Sequence, residues 1–256
     1  MHSIQERKLN DLMWFDDKAS IFDVIGRMEI LREEFMQNKK YHGLLPFLEV
    51  YYRVTKNVAE KAYLRKNFYQ NYKNIEKFDV YFAKLYFDPI RKYILKNEKQ
   101  TPWKNYLVLS KLDVSPFIKI FSGINSHINS DLAQTIIDLH YTNEHDFNMV
   151  NDILREVLPE IFKYLAFVGK DIFGFGGLLL SGFSEYEFEQ TVMKWRSNSW
   201  KNASVIRKKR IKNYLKPLHI QTENISLEIL ELLEPYWKID DLYLRILKLN
   251  KLSVLV

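Results

Sequence analysis

Residues 116–141 read PFIKIFSGINSHINSDLAQTIIDLHY, and the fold is decided by how this stretch is read. Ser115-Pro116-Phe117 has the form of a helix start, since the N–H that proline lacks has no partner in a first turn anyway. Phe117, Phe121, Ile124, Ile128, Leu132, Thr135 and Leu139 then recur at helical spacing as one apolar stripe. His127 and Asp131 stand four apart on the border of that stripe, so their side chains project together. Asp138 continues their line, while Asn125 and Asn129 flank the stripe on its other side. Small polar residues are poor helix formers, and a solvated helix has no need of so many. The segment therefore reads as a helix enclosed on several sides, with its amides and imidazole satisfied by protein partners. The expectation is an all-α fold around a central helix at about 116–140.

Working outward, the flanks carry the same punctuation. Ser20 with Asp23 resembles a capping box ahead of Ile21, Val24, Met28, Leu31 and Phe35. Pro46 sits as a first-turn proline before Phe47, Val50, Tyr51 and Val54. Phe78, Phe82, Leu85 and Tyr86 mark another helix, with Pro89 expected to kink or end it. Thr101-Pro102-Trp103 opens a short helix, and Asp146 is a candidate cap for one that must accommodate Pro159. Ser184 with Glu187 is a second capping box. Ile225 to Leu233 and Leu242 to Leu252 are two further apolar helical runs. Strand alternation, internal repeats and linkers are lacking, so residues 1–256 read as a single all-α domain. Gly169 to Gly182 holds five of the eight glycines and reads as a loop or a close helix crossing.

Composition narrows the function classes. At 47% hydrophobic and 15% aromatic, a chain of 256 residues buries a large core and is not disordered. With no cysteine, disulfides, thiolate zinc sites, iron–sulfur clusters and cysteine nucleophiles are excluded. A net charge of +6 is mild and requires no nucleic acid. The uncharged run Ile172 to Ser184 is shorter than the ~20 residues a bilayer-spanning helix needs. The first residues lack the apolar core of a signal peptide, which makes a cytoplasmic location the expectation. The basic run Arg207 to Lys212 reads as a solvated helix face rather than a phosphate or lipid site. FGFGG lacks the spacing of a nucleotide-binding loop, and no Gly-x-Ser-x-Gly elbow occurs.

A histidine and a carboxylate at i, i+4 serve two chemistries. They can point at one divalent ion such as zinc, or the carboxylate can tune the imidazole as a general base. The structural alternative is a pair in which Asp131 accepts from the His127 ring and ties the helix to its neighbours.

The run GINSHINSDL, residues 123–132, resembles the signature of an uncharacterised, mainly bacterial family: Gly, a hydrophobic residue, Asn, a small residue (usually Ala), His-Ile-Asn, any residue, Asp-Leu. The resemblance takes in Gly43-Leu44, Phe47, Tyr51, Arg53, Val54 and Thr55, then Asp79, Phe82, Ala83 and Tyr86. Downstream it includes Asp146, Val150 and Asn151, and the late element Arg196, Trp200 and Ala203. It covers about 25–205, leaving 206–256 as a helical extension, and it implies a fold more than an activity. A looser likeness is to the all-α zinc phospholipase C and single-strand nuclease superfamily, which also uses His-x-x-x-Asp on a core helix. That likeness implies a reduced one- or two-metal site from Asp79, His127, Asp131 and His145.

These readings lead to an enzyme with a polar pocket centred on His127 and Asp131, ringed by Asn125, Asn129, Asp138 and Asp146. A bound ion would activate water for hydrolysis of an ester or phosphoester. Without an ion, His127 would be the general base, oriented by Asp131. The competing expectation is a non-enzymatic helical module that takes an apolar or lipidic ligand or docks a protein, with Leu249 to Val256 as a docking segment.

Overall fold

The computed structural model describes residues 4–16, 18–114, 116–167 and 184–233, and it contains no strand among them. After α1 (Ile4–Leu12), α2 (Ile21–Gln37) starts at the expected capping box. The Ser20 hydroxyl accepts the Asp23 N–H at 3.2 Å, and the Asp23 carboxylate accepts the Ser20 N–H at 2.8 Å. Two backbone donors left open by a helix start are thereby satisfied. A 3₁₀ turn (Lys39–Leu44) leads into α3 (Leu45–Leu64), with Pro46 in its first turn.

α4 (Tyr72–Lys96) runs on through Pro89 instead of ending there. Tyr86, Phe87, Ile90 and Ile94 on both sides of the proline are buried. Packing that face outweighs the roughly 3 kcal/mol a mid-helix proline can cost. α4 stops at Asn97, which takes the left-handed conformation and donates its N–H to the Tyr93 carbonyl. α5 (Lys104–Leu109) follows directly after Trp103.

The central helix is α6 (Pro116–Asn125), a π-helical stretch (Ser126–Leu132) and α7 (Ala133–Asp138) in one line. It is packed by α3, α4 and α5, and also by α9 (Glu185–Lys209) and α10 (Leu215–Leu233), which come after α8 (Glu144–Phe167). Ser122, Asn125, Ser126, His127, Asn129, Ser130 and Asp131 are all buried, as an enclosed helix requires. Gly123 allows the closest approach: a Cβ there would lie 2.4 Å from the Phe47 ring of α3.

Asn143, not Asp146, stands ahead of α8, and its Oδ1 accepts the Asp146 N–H at 3.0 Å. Pro159 lies inside α8 and is accommodated. α9 begins at the Ser184–Glu187 capping box, and the basic run closes it: Arg207, Lys208 and Lys209 form its last turn, where cations suit the carbonyl end. The Gly169–Gly182 segment, the Leu242–Leu252 run and the Leu249–Val256 segment lie outside the described residues. Among the described residues, no helix is long and apolar enough to cross a membrane.

Candidate functional site

The π-helical stretch carries His127 and Asp131, and such widened turns recur at functional sites. His127 is 4% exposed and Asp131 2%. Their spacing does what the sequence implies: His127 Nδ1 lies 3.0 Å from Asp131 Oδ2. The same oxygen accepts the indole N–H of Trp103 at 3.1 Å. An indole nitrogen only donates and an ionised carboxylate only accepts, so with Asp131 ionised the imidazole proton sits on Nδ1. Nε2 then carries the lone pair, and it has no hydrogen-bond partner among the described residues.

The imidazole is held between aromatic rings from two helices. Its face stacks on Phe82 of α4 at 3.6 Å between centroids and 9° between planes. Tyr51 of α3 meets it edge-on at 4.5 Å. Burial pushes the His127 pKa well below its ordinary 6.5, and the Arg196 charge pushes it the same way. The ring is therefore neutral. Burial also drives the Asp131 carboxyl well above 3.8, against the opposing Trp103 hydrogen bond.

Two cavities of about 80 Å³ each share Tyr51 and Phe82, the rings that hold the imidazole, in their walls. His127 lines one, together with Val50, Ile128, Leu158, Phe188 and Val192, so that its walls are almost wholly apolar. Asp79 and Thr55 line the other. Tyr51, Val54, Phe82, Leu154 and Arg196 belong to both walls. A water needs roughly 10–15 Å³ of such space, so each cavity has room for about five to eight non-hydrogen atoms.

Arg196 is the member of this site that reading by motif missed as a functional group. It is 6% exposed, donates from Nε to Asn151 Oδ1 at 2.6 Å, and lies over the Phe147 ring at 4.9 Å. Burial lowers its pKa to about 10 against the opposing pull of Asp79. A signal was present in the sequence. Arg196 follows Phe188 and Val192 at fourfold spacing, which puts a guanidinium on an apolar stripe.

The other expected site residues divide. Asp79 reaches the cavity region, where burial raises its pKa to about 7 despite Arg196. Asn125 donates to the Thr222 carbonyl and to Ser226 Oγ, both at 2.8 Å, and Asn129 donates to Asn125 Oδ1, so this pair binds α10 to the central helix. Asp138 is exposed and accepts from Tyr81, Tyr214 and Gln134. Asp146 accepts the backbone N–H groups of Gln70 and Asn71 at 2.8 and 2.9 Å, and His145 is half-exposed with its Nδ1 3.1 Å from Asp146. Asp146 thus ties the start of α8 to the start of α4. Among the described residues, no three His, Asp or Glu side chains converge as a metal site would need. Asp131 Oδ2 is taken by two donors, while His127 Nε2 is itself buried and without a hydrogen-bond partner among the described residues.

Phe47, Tyr51, Phe82, Tyr86, His127, Asp131, Asn151 and Arg196, quoted above for the family resemblance, gather around this one place. No curated protein and no solved structure matches the chain. The profile of a family of unknown function, DUF5995, matches residues 21–231, a wider span than the resemblance read from the sequence, and takes in α10 almost to its end. With most of its length inside that match, the chain belongs to the DUF5995 family.

Proposed function

We propose that the chain is a hydrolase of small, largely apolar esters, with His127 as general base. The observation that carries this reading is the unpartnered Nε2 of a neutral imidazole whose ring lines a cavity and whose Nδ1 proton is held by Asp131. Nε2 would take a proton from water as the water oxygen bonds to the ester carbonyl carbon. The tetrahedral oxyanion then collapses, the C–O bond to the alcohol breaks, and Nε2–H returns the proton to the leaving oxygen. Asp131 is a positioning residue that fixes the tautomer. The apolar walls favour a carboxylic ester over a phosphoester, because a phosphate would lose more hydration there than the single guanidinium of Arg196 replaces.

The test is alcohol release from ethyl esters of short-chain acids by the full chain purified without chelator or nickel resin. His127→Gln should lower turnover by about 10²–10⁴, the usual contribution of a general base. No turnover by the native chain, or unchanged turnover in that variant, refutes the proposal. Elemental analysis belongs to the same experiment: stoichiometric zinc that is lost with activity in Asp131→Asn would replace this route with a metal-assisted one. A second reading, a module that binds an apolar ligand without turnover, is favoured by the nearly wholly apolar wall beside His127. Saturable ligand binding in a chain with no turnover would establish it.

A further inference from the structure

Arg196 is a buried cation with little to neutralise it. No carboxylate lies within ion-pair distance of its guanidinium among the described residues, and its one hydrogen bond to protein there runs from Nε to a neutral amide, Asn151. Asp79 acts on it through space only. A guanidinium taken out of water needs several acceptors, and its remaining N–H groups make a planar fork that matches a carboxylate. Arg196 also lies in the wall of both cavities, so this fork borders space sized for a few carbon atoms between Leu158, Phe188 and Val192.

We propose that Arg196 anchors the carboxylate of a short-chain aliphatic acid whose hydrocarbon part fills the cavity beside His127. The volume sets the size: about five to eight non-hydrogen atoms, which a four- to six-carbon acid supplies. The hydrolase reading makes this acid the product of ester cleavage, but the binding site itself does not depend on turnover. Asp79 faces the same guanidinium from α4 and opposes a second negative charge there.

The test is calorimetric titration of the full chain with hexanoate, hexanol and acetate. Hexanoate should bind at one site with a Kd of about 1 mM or tighter, a reasonable affinity for a ligand of about eight non-hydrogen atoms. Hexanol, with the tail and no charge, and acetate, with the charge and no tail, should each bind at least tenfold more weakly. Arg196→Met should abolish the preference for hexanoate over hexanol, with helicity checked by circular dichroism. Because that variant can lose the fold with its buried hydrogen bond, Asp79→Asn is the second: at pH 8, where the Asp79 carboxyl with its pKa of about 7 is ionised, removal of the competing charge should tighten hexanoate several-fold. Equal binding of hexanol and hexanoate, or no change in Asp79→Asn, overturns the proposal. Hexanoate binding without ester turnover upholds this site and sinks the hydrolase. Turnover that hexanoate does not inhibit sinks this site and leaves the hydrolase standing.

Discussion

Replacing Asp131 by alanine should destabilise the fold far more than replacing it by asparagine, and the hydrogen bonds say by how much. A single carboxylate oxygen, Oδ2, accepts from Trp103 Nε1 and from His127 Nδ1. Alanine leaves both donors without an acceptor in a region where Trp103 is wholly buried. Each orphaned buried donor costs about 1–3 kcal/mol. His127 can reduce its share by moving its proton to Nε2, but an indole has no second tautomer. Removal of a carboxyl that burial already disfavours returns part of the loss. The net expectation for Asp131→Ala is therefore about 2–4 kcal/mol. Asparagine keeps one oxygen that can stand in the Oδ2 position and accept from both donors, so Asp131→Asn should lose no more than about 1.5 kcal/mol. Urea unfolding followed by tryptophan fluorescence measures both, provided the m-values agree. A cycle with Trp103→Phe should give a coupling of about 1 kcal/mol or more. If alanine and asparagine fall within about 0.5 kcal/mol of each other, Oδ2 is not the shared acceptor and the tautomer assigned to His127 fails with it.

The Asp79 carboxyl holds its proton up to about pH 7 when folded and loses it near 3.8 when unfolded, so the native chain loses stability as pH rises between those values. Asp79→Asn removes that loss; the full span is a ceiling of about 4 kcal/mol at ~1.4 per unit, and partial exposure of the side chain brings the expected gain at pH 8 to about 1–2 kcal/mol, with none at pH 4. Thermal unfolding at the two pH values checks it, and an equal change at both refutes it. Gly123→Ala should destabilise by about 1–3 kcal/mol through overpacking on Phe47, whereas Gly26→Ala, inside α2 with nothing within 4 Å of the new Cβ, should stabilise by about 0.5–1 kcal/mol; urea midpoints separate the two signs. Glu49 is wholly buried and takes hydrogen bonds from Arg32, Arg53 and Tyr164, so Glu49→Ala should cost about 2–4 kcal/mol in urea, less than a fully buried pair because both arginines touch water.

What could be read from the chain alone is what depends on near neighbours along it. Both capping boxes, the proline starts of α3 and α6 and the i, i+4 contact of His127 with Asp131 follow from spacings of three or four residues. Even the enclosure of the central helix was legible, because Asn125, Ser126, Asn129 and Ser130 make no sense on a solvated face. The long-range partners were not. Asn125 meets Thr222 and Ser226 across about a hundred residues, and nothing local in either segment names the other. Asp146 looked like a helix cap and a pocket residue; it accepts instead from the backbone of Gln70 and Asn71, a role set by where α8 lands on the start of α4. Pro89 reads as a kink or a helix end, and the helix does not end there, because local rules weigh the lost hydrogen bond and not the apolar face that continues past it. The candidate site turns on the same distinction. The His127–Asp131 pair follows from spacing alone, since one helix suffices to make it. Only the packing of α3, α4 and α9 around that helix decided that Tyr51, Phe82 and Arg196 would surround the ring, because burial and charge are sums over atoms brought together from distant parts of the chain.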